Sequence, residues 1–375
     1  MLMMNGHKYL SLSIVVMLLM IKADCVAQTP ASVTVTAYFF GKSADVDSVA
    51  AEKLTHIIFS FLHLKGNMLQ VDKPEDAAAI ASLVELKKKN PSLKVLLSLG
   101  GWGGCAACAD VFSTSKGRKD FAESVLQLSK FFKTDGIDID WEYPVVEGYP
   151  GHKYGPSDKQ NFTELILELR KTLGSNYEIS FAAGGFQKFL DQAVDWKKVI
   201  GAVDRVNVMT YDLVNGYSTL TGHHTPLFSN TQQKESTDNA IKAMIAMGIP
   251  ANKLVIDAAF YGRMWEDVPP ANNGLYQPGK FKTGINYDSF DSALSVSTGW
   301  KAYWDNVAKA PYAYNAGKKL FITYDDPASI EAKVKYTIDN KLNGIMFWEI
   351  TNDKSSGGLL DVIYKVKRTH KSKGK

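Results

Sequence analysis

Short apolar runs rich in β-branched and aromatic residues recur along the chain, and turn residues bound each of them. Apolar runs of this kind are typical of buried parallel strands. The pattern predicts eight strands, at residues 33–40, 56–62, 94–100, 136–141, 178–184, 205–211, 253–260 and 343–348. Segments with helical periodicity lie between many of these runs and predict helices at residues 75–89, 116–133, 158–173, 237–247 and 327–340.

Strands that alternate with helices predict an α/β protein, and eight strands in a chain of this size favour a (β/α)8 TIM barrel. A doubly wound open sheet is the alternative. The alternation of strands and helices is interrupted after the seventh strand, where residues 264–325 are rich in Trp, Tyr, Pro, Gly and Asn. This segment far exceeds a βα loop of about two to six residues. We therefore expect a small α+β insertion at 264–325, with its own core formed by Trp265, Trp300 and Trp304.

The amino-terminal segment has a different composition. Lys8 precedes an apolar run at residues 9–21, which is thirteen residues long. A membrane-spanning helix needs about 20 residues, so this run fits the core of a signal peptide better. We expect a signal peptide at residues 1–27, cleavage after Ala27, and a secreted or periplasmic domain at residues 28–375.

Two alternatives to this interpretation stay open. The apolar run could form a buried amino-terminal helix, or Cys25 could carry a lipid that anchors the protein to a cell surface. Lys22 and Asp24 fit a lipidation site poorly. No other segment of the sequence predicts a stable membrane span.

The net charge of +4 comes from a short tail. Six basic residues and no acidic residue occupy residues 365–375, and the rest of the chain carries a net charge of −2. We interpret the tail as a solvated end, since no basic and aromatic stretch elsewhere predicts a nucleic-acid surface. The chain is expected to be a monomer that binds no nucleic acid.

Cysteine is scarce, with three residues in the chain. This number excludes a four-cysteine zinc site and a disulfide scaffold. Cys105 and Cys108 are the two that follow the expected signal peptide, and an oxidising compartment favours a disulfide between them. A metal site would lack its other half, and a redox motif would need a thioredoxin-like context.

The segment at residues 134–144 carries an alternation of acidic and apolar side chains. Because a strand has period two, Asp138, Asp140 and Glu142 share one face, and the opposite face is apolar. We name these three residues the acidic set and expect them to point into the barrel. Carboxyl groups this close repel one another, so at least one pKa should be raised, as a general acid requires. A Mg²⁺ or Mn²⁺ site and an exposed edge strand are the alternatives.

The pattern Asp-x-x-Asp-x-Asp-x-Glu at residues 135–142 resembles that of the family 18 glycoside hydrolases, the chitinase family. Further segments are similar in the same order, namely Ser-Leu-Gly-Gly at 98–101, Met-Thr-Tyr-Asp at 209–212, Tyr-Gly-Arg at 261–263 and Gly-Ile-Met-Phe-Trp at 344–348. The insertion also resembles that of one chitinase subfamily. The resemblance implies hydrolysis of β-1,4 bonds between N-acetylglucosamine units of chitin or its oligosaccharides, with retention and without cofactor or metal.

The resemblance also implies roles for individual residues. Glu142 would act as general acid and base, while the substrate's own 2-acetamido oxygen attacks, an arrangement known for this family. Asp140 would orient the acetamide, Asp138 would share a proton with Asp140, and Tyr211 would donate a hydrogen bond to the acetamide oxygen. The implied substrate-binding residues are Tyr38, Phe61, Ser98, Trp102, Tyr143, Met209, Asp212, Tyr261, Arg263 and Trp348.

Some of these residues have a second interpretation. Ser98 would support Asp138 from the inner face, and Trp348 would form the floor beneath the cleaved bond. Trp102 and Tyr143 could instead anchor their loops. His223 and His224 are interpreted as polar loop residues near the sugar, and the glycine-rich residues 100–104 as a flexible loop, because the Lys-Ser/Thr of a phosphate-binding loop is missing.

Three other functions stay open. An endo-β-N-acetylglucosaminidase that cuts the chitobiose core of N-linked glycans would use the same catalytic residues. A chitin-binding lectin without catalysis is disfavoured, since relatives of that kind usually lose the acidic Glu. A peptidoglycan hydrolase would also fit an aromatic cleft.

Overall fold

The structure is a computed structural model that describes the backbone of residues 33–373 and the side chains of residues 33–369. The expected signal peptide, with Ala27 and Cys25, lies outside the described residues. Within the described part of the chain, no helix is both long enough and apolar enough to cross a membrane.

Fourteen strands lie within residues 33–373: β1 (Thr34–Phe39), β2 (His56–Lys65), β3 (Met68–Gln70), β4 (Lys94–Gly100), β5 (Gly136–Asp140), β6 (Glu178–Gly184), β7 (Arg205–Met209), β8 (Leu254–Ala259), β9 (Tyr261–Glu266), β10 (Lys280–Asn286), β11 (Lys301–Asp305), β12 (Ala310–Asn315), β13 (Leu320–Thr323) and β14 (Gly344–Trp348). Eight of them pair in parallel in the order β1-β14-β8-β7-β6-β5-β4-β2, and β1 also pairs with β2. The sheet is therefore closed, which confirms the (β/α)8 barrel and excludes the doubly wound sheet.

Helices cover the outside of the barrel. The described residues form α1 (Pro74–Glu85), α2 (Cys108–Phe112), α3 (Ser115–Phe132), α4 (Asp158–Leu173), α5 (Gln187–Gln192), α6 (Trp196–Val199), α7 (Thr237–Ala246), α8 (Phe290–Ala293), α9 (Pro327–Asp339) and α10 (Leu359–Lys373). The segment interpreted as a solvated end is helical as far as Lys373. Lys365, Arg368 and Thr369 are exposed in it, as expected for a solvated end, whereas Val366 is buried.

The two faces of the barrel strands belong to different cores. Outward residues such as Ile137 and Ile139 pack with the helices in the main core. Inward residues form a separate cluster inside the barrel, made of Tyr38, Ile58, Leu96, Ala182, Met209, Val255 and Met346. This separation fixes which side chains of each strand face the interior, because successive side chains alternate between the faces.

The insertion is a five-stranded antiparallel sheet in the order β10-β9-β13-β12-β11, with α8 between two of its strands. Its first strand begins at Tyr261, directly after β8, three positions before the predicted start at residue 264. Trp265 and Trp300 are buried, whereas Trp304 is partly exposed on the edge strand β11.

Candidate active site

The acidic set lies where β5 ends at the carboxyl-terminal mouth of the barrel. Asp138 and Asp140 are buried and face inward, while the intervening Ile139 packs in the outer core. Glu142 follows two residues after the strand and lines the open groove. The peptide bond after Glu142 is cis, as are those after Ser60, within β2, and after Trp348, the last residue of β14.

Asp138 accepts four hydrogen bonds from four other strands. Its Oδ1 accepts from the Ser180 hydroxyl at 2.6 Å and from Asn207 Nδ2 at 3.0 Å. Its Oδ2 accepts from the Tyr38 hydroxyl at 3.0 Å and the Ser98 hydroxyl at 3.2 Å. Burial raises the pKa of Asp138, and the hydroxyl donors oppose this effect. Four donors around one carboxyl group fit the ionised form, which only accepts hydrogen bonds.

Asp140 has a contrasting environment. Its Oδ1 is buried without a hydrogen-bond partner in the described structure. Burial raises the pKa of Asp140 well above its ordinary value, and repulsion by Glu142, Asp138 and Asp257 adds to the effect. Because coupled carboxyl groups titrate as a set, the arrangement favours a negative charge on Asp138 and a proton on Asp140.

Glu142 has the properties of a general acid near neutral pH. Burial raises its pKa to about 7, a hydrogen bond with Tyr143 opposes the rise, and the charge of Asp212 adds to it. A general acid is most effective when its pKa lies near the working pH. The phenol ring of Tyr143 packs edge-on against the rings of Phe186 and Phe189, at centroid distances of 5.4 and 5.3 Å. Tyr143 therefore both contacts the acid and anchors its loop.

Asp212 is held as an anion in the segment after β7. Its Oδ1 accepts from Arg263 Nε at 2.8 Å and its Oδ2 from the same guanidinium at 2.5 Å. His224 Nδ1 lies 3.6 Å from Asp212 Oδ1. Although burial alone would raise the pKa of Asp212, the hydrogen bonds from Arg263 lower it, and the nearby His224 imidazole adds to this effect. The fixed negative charge of Asp212 therefore acts on Glu142 and raises its pKa.

A groove with a cavity volume of about 1880 Å³ runs over the acidic set. Trp348 forms part of its floor, and the Phe61 ring stacks on it at 5.5 Å with an angle of 13° between the planes. Trp102 is 48% exposed, and its ring lies 5.7 Å from that of Tyr149 and 6.3 Å from that of Tyr217. Exposed aromatic faces along a groove suit ligands with apolar faces, such as sugar rings.

Most predicted site residues line this groove, namely Asp140, Glu142, Tyr211, Phe61, Trp102, Tyr143, Met209, Asp212, Tyr261, Arg263 and Trp348. Tyr38 and Ser98 do not line it, and their expected role in substrate binding stays a prediction. Both are buried beneath the groove, where their hydroxyl groups donate to Asp138. For Ser98 this contact agrees with its second interpretation, as a support of Asp138.

The two glycines of the Ser-Leu-Gly-Gly segment lie where neighbouring atoms leave no room for a side chain. A side chain at Gly100, whose φ is 108°, would lie 2.2 Å from the backbone oxygen of Asp140. A side chain at Gly101, whose φ is 79°, would lie 2.4 Å from the Phe61 ring. Only glycine fits such close approaches and positive φ angles comfortably. The loop that follows is closed by a disulfide between Cys105 and Cys108.

Sequence analysis missed several residues that support the acidic set. Ser180 and Asn207 occupy inward positions of β6 and β7, and strand alternation alone could have identified them. His223 and His224, which were predicted as polar loop residues, lie between β7 and α7 and are fully buried. Arg205 pairs with Glu178 beneath Asp138, whose pKa its charge lowers. Within residues 33–369, no group of three or more His, Cys, Asp or Glu side chains is arranged to hold a metal ion.

The arrangement combines a proton donor near pH 7, a buried carboxylate pair and an aromatic floor. Such a site suits acid catalysis on a substrate with apolar ring faces, with positive charge developing above Asp140.

The chain is similar to known proteins in sequence and in structure. Residues 34–353 match the family model of the glycosyl hydrolases of family 18. Chitinase A1 of Niallia circulans is 34% identical over 304 residues, which cover 74% of this chain and 43% of that relative. Chitinase B of Serratia marcescens is 28% identical over 392 residues, which cover 84% of this chain and 77% of the relative. The chain thus spans less than half the length of the first relative.

A solved structure with similar architecture is a family 18 N-acetylglucosaminidase from Paenibacillus barengoltzii. It superposes with a TM-score of 0.81 at 36% sequence identity, covering 89% of this chain and 99% of the other.

Proposed function

Since the chain belongs to the glycosyl hydrolases of family 18, we propose that it hydrolyses β-1,4 bonds between N-acetylglucosamine units of chitin or chitooligosaccharides. The similarity to two proteins named chitinase supports this substrate class. The single observation that carries the proposal is Glu142, with a pKa of about 7, beside an unpaired Asp140 oxygen in an aromatic groove.

The proposed mechanism begins with proton transfer from Glu142 to the glycosidic oxygen. The 2-acetamido oxygen of the same sugar attacks the anomeric carbon as the glycosidic bond breaks, and an oxazolinium ion forms. Asp140 accepts a hydrogen bond from the acetamide N–H through its unprotonated oxygen. The negative charge that it shares with Asp138 stabilises the positive charge, while Tyr211 aligns the acetamide oxygen. Glu142 then removes a proton from water, which attacks the anomeric carbon from the face that the leaving sugar vacated. The bond between that carbon and the acetamido oxygen breaks, the acetamido group is restored, and the anomeric configuration is retained.

The burial of the carboxyl groups supports the assignment of the nucleophile to the acetamido group rather than to a carboxylate. A retaining enzyme with a carboxylate nucleophile needs two carboxyl groups about 5 Å apart, both reaching the sugar. Here Asp138 is buried beneath the groove and its four hydrogen bonds hold it there. Asp140 is thus the nearest carboxyl group to Glu142 on the strand, and its environment favours a proton rather than a nucleophilic anion.

The proposal is tested by product analysis on a hexamer of N-acetylglucosamine. We expect shorter acetylated oligomers from the wild-type protein and none from Glu142→Gln, which keeps the shape but loses the titrating proton. A fully deacetylated hexamer should stay intact because it lacks the nucleophile. Cleavage of both hexamers at equal rates would overturn the proposal.

A second mode of action has its own support. The relative from Paenibacillus barengoltzii is described as an N-acetylglucosaminidase, which suggests release of single sugars rather than internal cleavage. The first products from the hexamer distinguish the two modes. A glycoprotein with N-linked glycans, run in parallel, tests the endo-β-N-acetylglucosaminidase alternative.

We also propose export, with cleavage after Ala27. The disulfide between Cys105 and Cys108 supports an oxidising compartment. Mass spectrometry of the protein from the native organism should find Gln28 as the first residue. A diacylglyceryl group on Cys25 would instead support the lipid-anchored form.

A further inference from the structure

Asp257 is a fourth carboxyl group on the inside of the barrel. It lies on β8, two residues after Val255, which belongs to the interior cluster. Strand alternation therefore turns the Asp257 side chain toward the interior as well. The residue is fully buried, so its carboxyl group faces the same enclosed space as the acidic set.

The hydrogen bonds of this carboxyl group are incomplete. Asp257 Oδ1 accepts from the backbone N–H of Ala258 at 2.6 Å, but Oδ2 has no partner in the described structure. Lys333 attracts it, yet Lys333 Nζ is already bound to Asp325 Oδ2 at 2.6 Å and to Thr225 Oγ1 at 2.5 Å. Burying a carboxyl oxygen without a hydrogen-bond partner reduces the free energy of unfolding, and such groups often have a function.

The charged groups that act on Asp257 come from α9, from the residues just before it and from the segment after β7. Burial raises its pKa well above the ordinary value, Lys333 and the Ala258 N–H oppose this, and Asp325 and Asp212 add to it. Asp257 in turn raises the pKa of Asp140, Tyr211 and Tyr261. For Tyr211, it is the strongest effect after burial. Asp257 thus affects Asp140 and Tyr211, the two residues that hold the acetamido group in the proposed mechanism.

We propose that Asp257 is a positioning residue of the active site, which acts through Asp140 and Tyr211 and adapts the acidic set to near-neutral pH. The proposal rests on the function proposed above. Neither Asp257 oxygen touches the groove surface, so the residue is not assigned a contact with the sugar.

The physical effect is a change in the titration of the whole set. When Asp257 ionises, its negative charge makes proton loss from Asp140 less favourable. Strongly coupled groups have pKa values that belong to the set. Removing one acidic member therefore allows the remaining members to lose protons at lower pH, and both limbs of a pH–rate profile move in that direction.

The test compares two variants that share only the loss of the charge. Asp257→Asn keeps the size of the side chain, and Asp257→Ala removes most of it. For each, kcat and KM on the N-acetylglucosamine hexamer are measured across pH. We expect both limbs of kcat to move to lower pH by about half a unit or more, with KM changed less than about twofold. Profiles that superimpose on the wild type in both variants would overturn the proposal.

Asp158→Asn is the matched control. Asp158 is also buried and also accepts a backbone hydrogen bond, from Gly155, but it lies at the start of α4 on the outside of the barrel. Its removal should leave both limbs of the profile in place. A shift in this control equal to that of Asp257→Asn would assign the effect to general destabilisation.

A second measurement does not depend on hydrolysis. Carbon-13 NMR of aspartate carboxyl groups is followed against pH, and the resonance missing in Asp140→Asn identifies Asp140. In Asp257→Asn the Asp140 resonance should titrate at lower pH than in the wild type, and an unchanged midpoint would contradict the inference. If the wild type cleaves no hexamer, the proposed function fails, while this titration still decides the role of Asp257.

Discussion

Replacing Asp138 by asparagine separates charge from shape in the acidic set. The carbonyl oxygen of the new amide can take the place of Oδ1, where Ser180 and Asn207 donate. Its amide nitrogen then faces the hydroxyl groups of Tyr38 and Ser98, which can rotate to accept. All four hydrogen-bonding neighbours keep a partner, so the variant should fold, and what it loses is the negative charge and the ability to share a proton with Asp140.

The expected loss of activity follows from the strand geometry. Residues two apart on a strand are about 7 Å apart, and the positive charge of the intermediate forms above Asp140. Two unit charges at about 7 Å, with an effective dielectric constant of about 20, interact by about 2.4 kcal/mol. This energy corresponds to about a 60-fold decrease in kcat. KM should change little, because the charge matters mainly in the transition state.

Stability should change in the other direction. The pKa of Asp138 is raised in the folded protein, so the wild type loses stability as pH rises from the unfolded pKa through the folded one. The Asp138→Asn variant avoids this cost at pH 7, and its melting temperature there should equal or exceed that of the wild type. The assay is steady-state hydrolysis of the hexamer together with thermal unfolding at pH 5 and pH 7. A kcat within threefold of the wild type, with a normal fold, would refute the reasoning.

Three further predictions concern other parts of the site. Glu142→Gln should lower kcat at least about a thousandfold while binding of the hexamer persists, and calorimetry checks the binding. The wild-type rate should fall as pH rises through about 7, because Glu142 then loses its proton, and a pH–rate profile checks this. Arg263→Met removes the two hydrogen bonds that Arg263 donates to Asp212 and should destabilise the protein by about 3 kcal/mol, measured by urea unfolding, whereas an unchanged midpoint would show that the pair is dispensable. Gly101→Ala should displace the Phe61 ring from Trp348 and raise KM more than it lowers kcat, and a wild-type KM would contradict the close approach.

The barrel could be predicted because its signal is local. Buried parallel strands give apolar runs between turn residues, and the bounds at 94–100 and 178–184 agree with β4 and β6. Prediction extended the strand at 205–211 too far. β7 ends at Met209, and Tyr211 then turns into the groove. Thr and Tyr are typical strand residues, but at these two positions they serve the site rather than the sheet.

The missed helices have two different causes. α5 and α6 are six and four residues long, too short for a periodic pattern. α10 is long, but its basic residues hide the buried positions Ile363 and Val366. In this helix, tertiary packing of a narrow apolar stripe outweighs the charge of the segment.

The acidic set was predictable, and its surroundings were less so. Alternation within one strand placed Asp138, Asp140 and Glu142 on one face without any other information. The donors to Asp138 come from four different strands, so their contact depends on barrel register. Asp257 and the Arg205–Glu178 pair depend on the same register, which a single sequence does not encode locally.

The central claim is that the substrate's own acetamido group displaces the leaving sugar. The most direct measurement is proton NMR of the anomeric signal during the first minutes of hydrolysis of the N-acetylglucosamine hexamer, before mutarotation. The account predicts that the new reducing ends appear first as the β anomer, with a deacetylated hexamer left uncut. First appearance of the α anomer would contradict it.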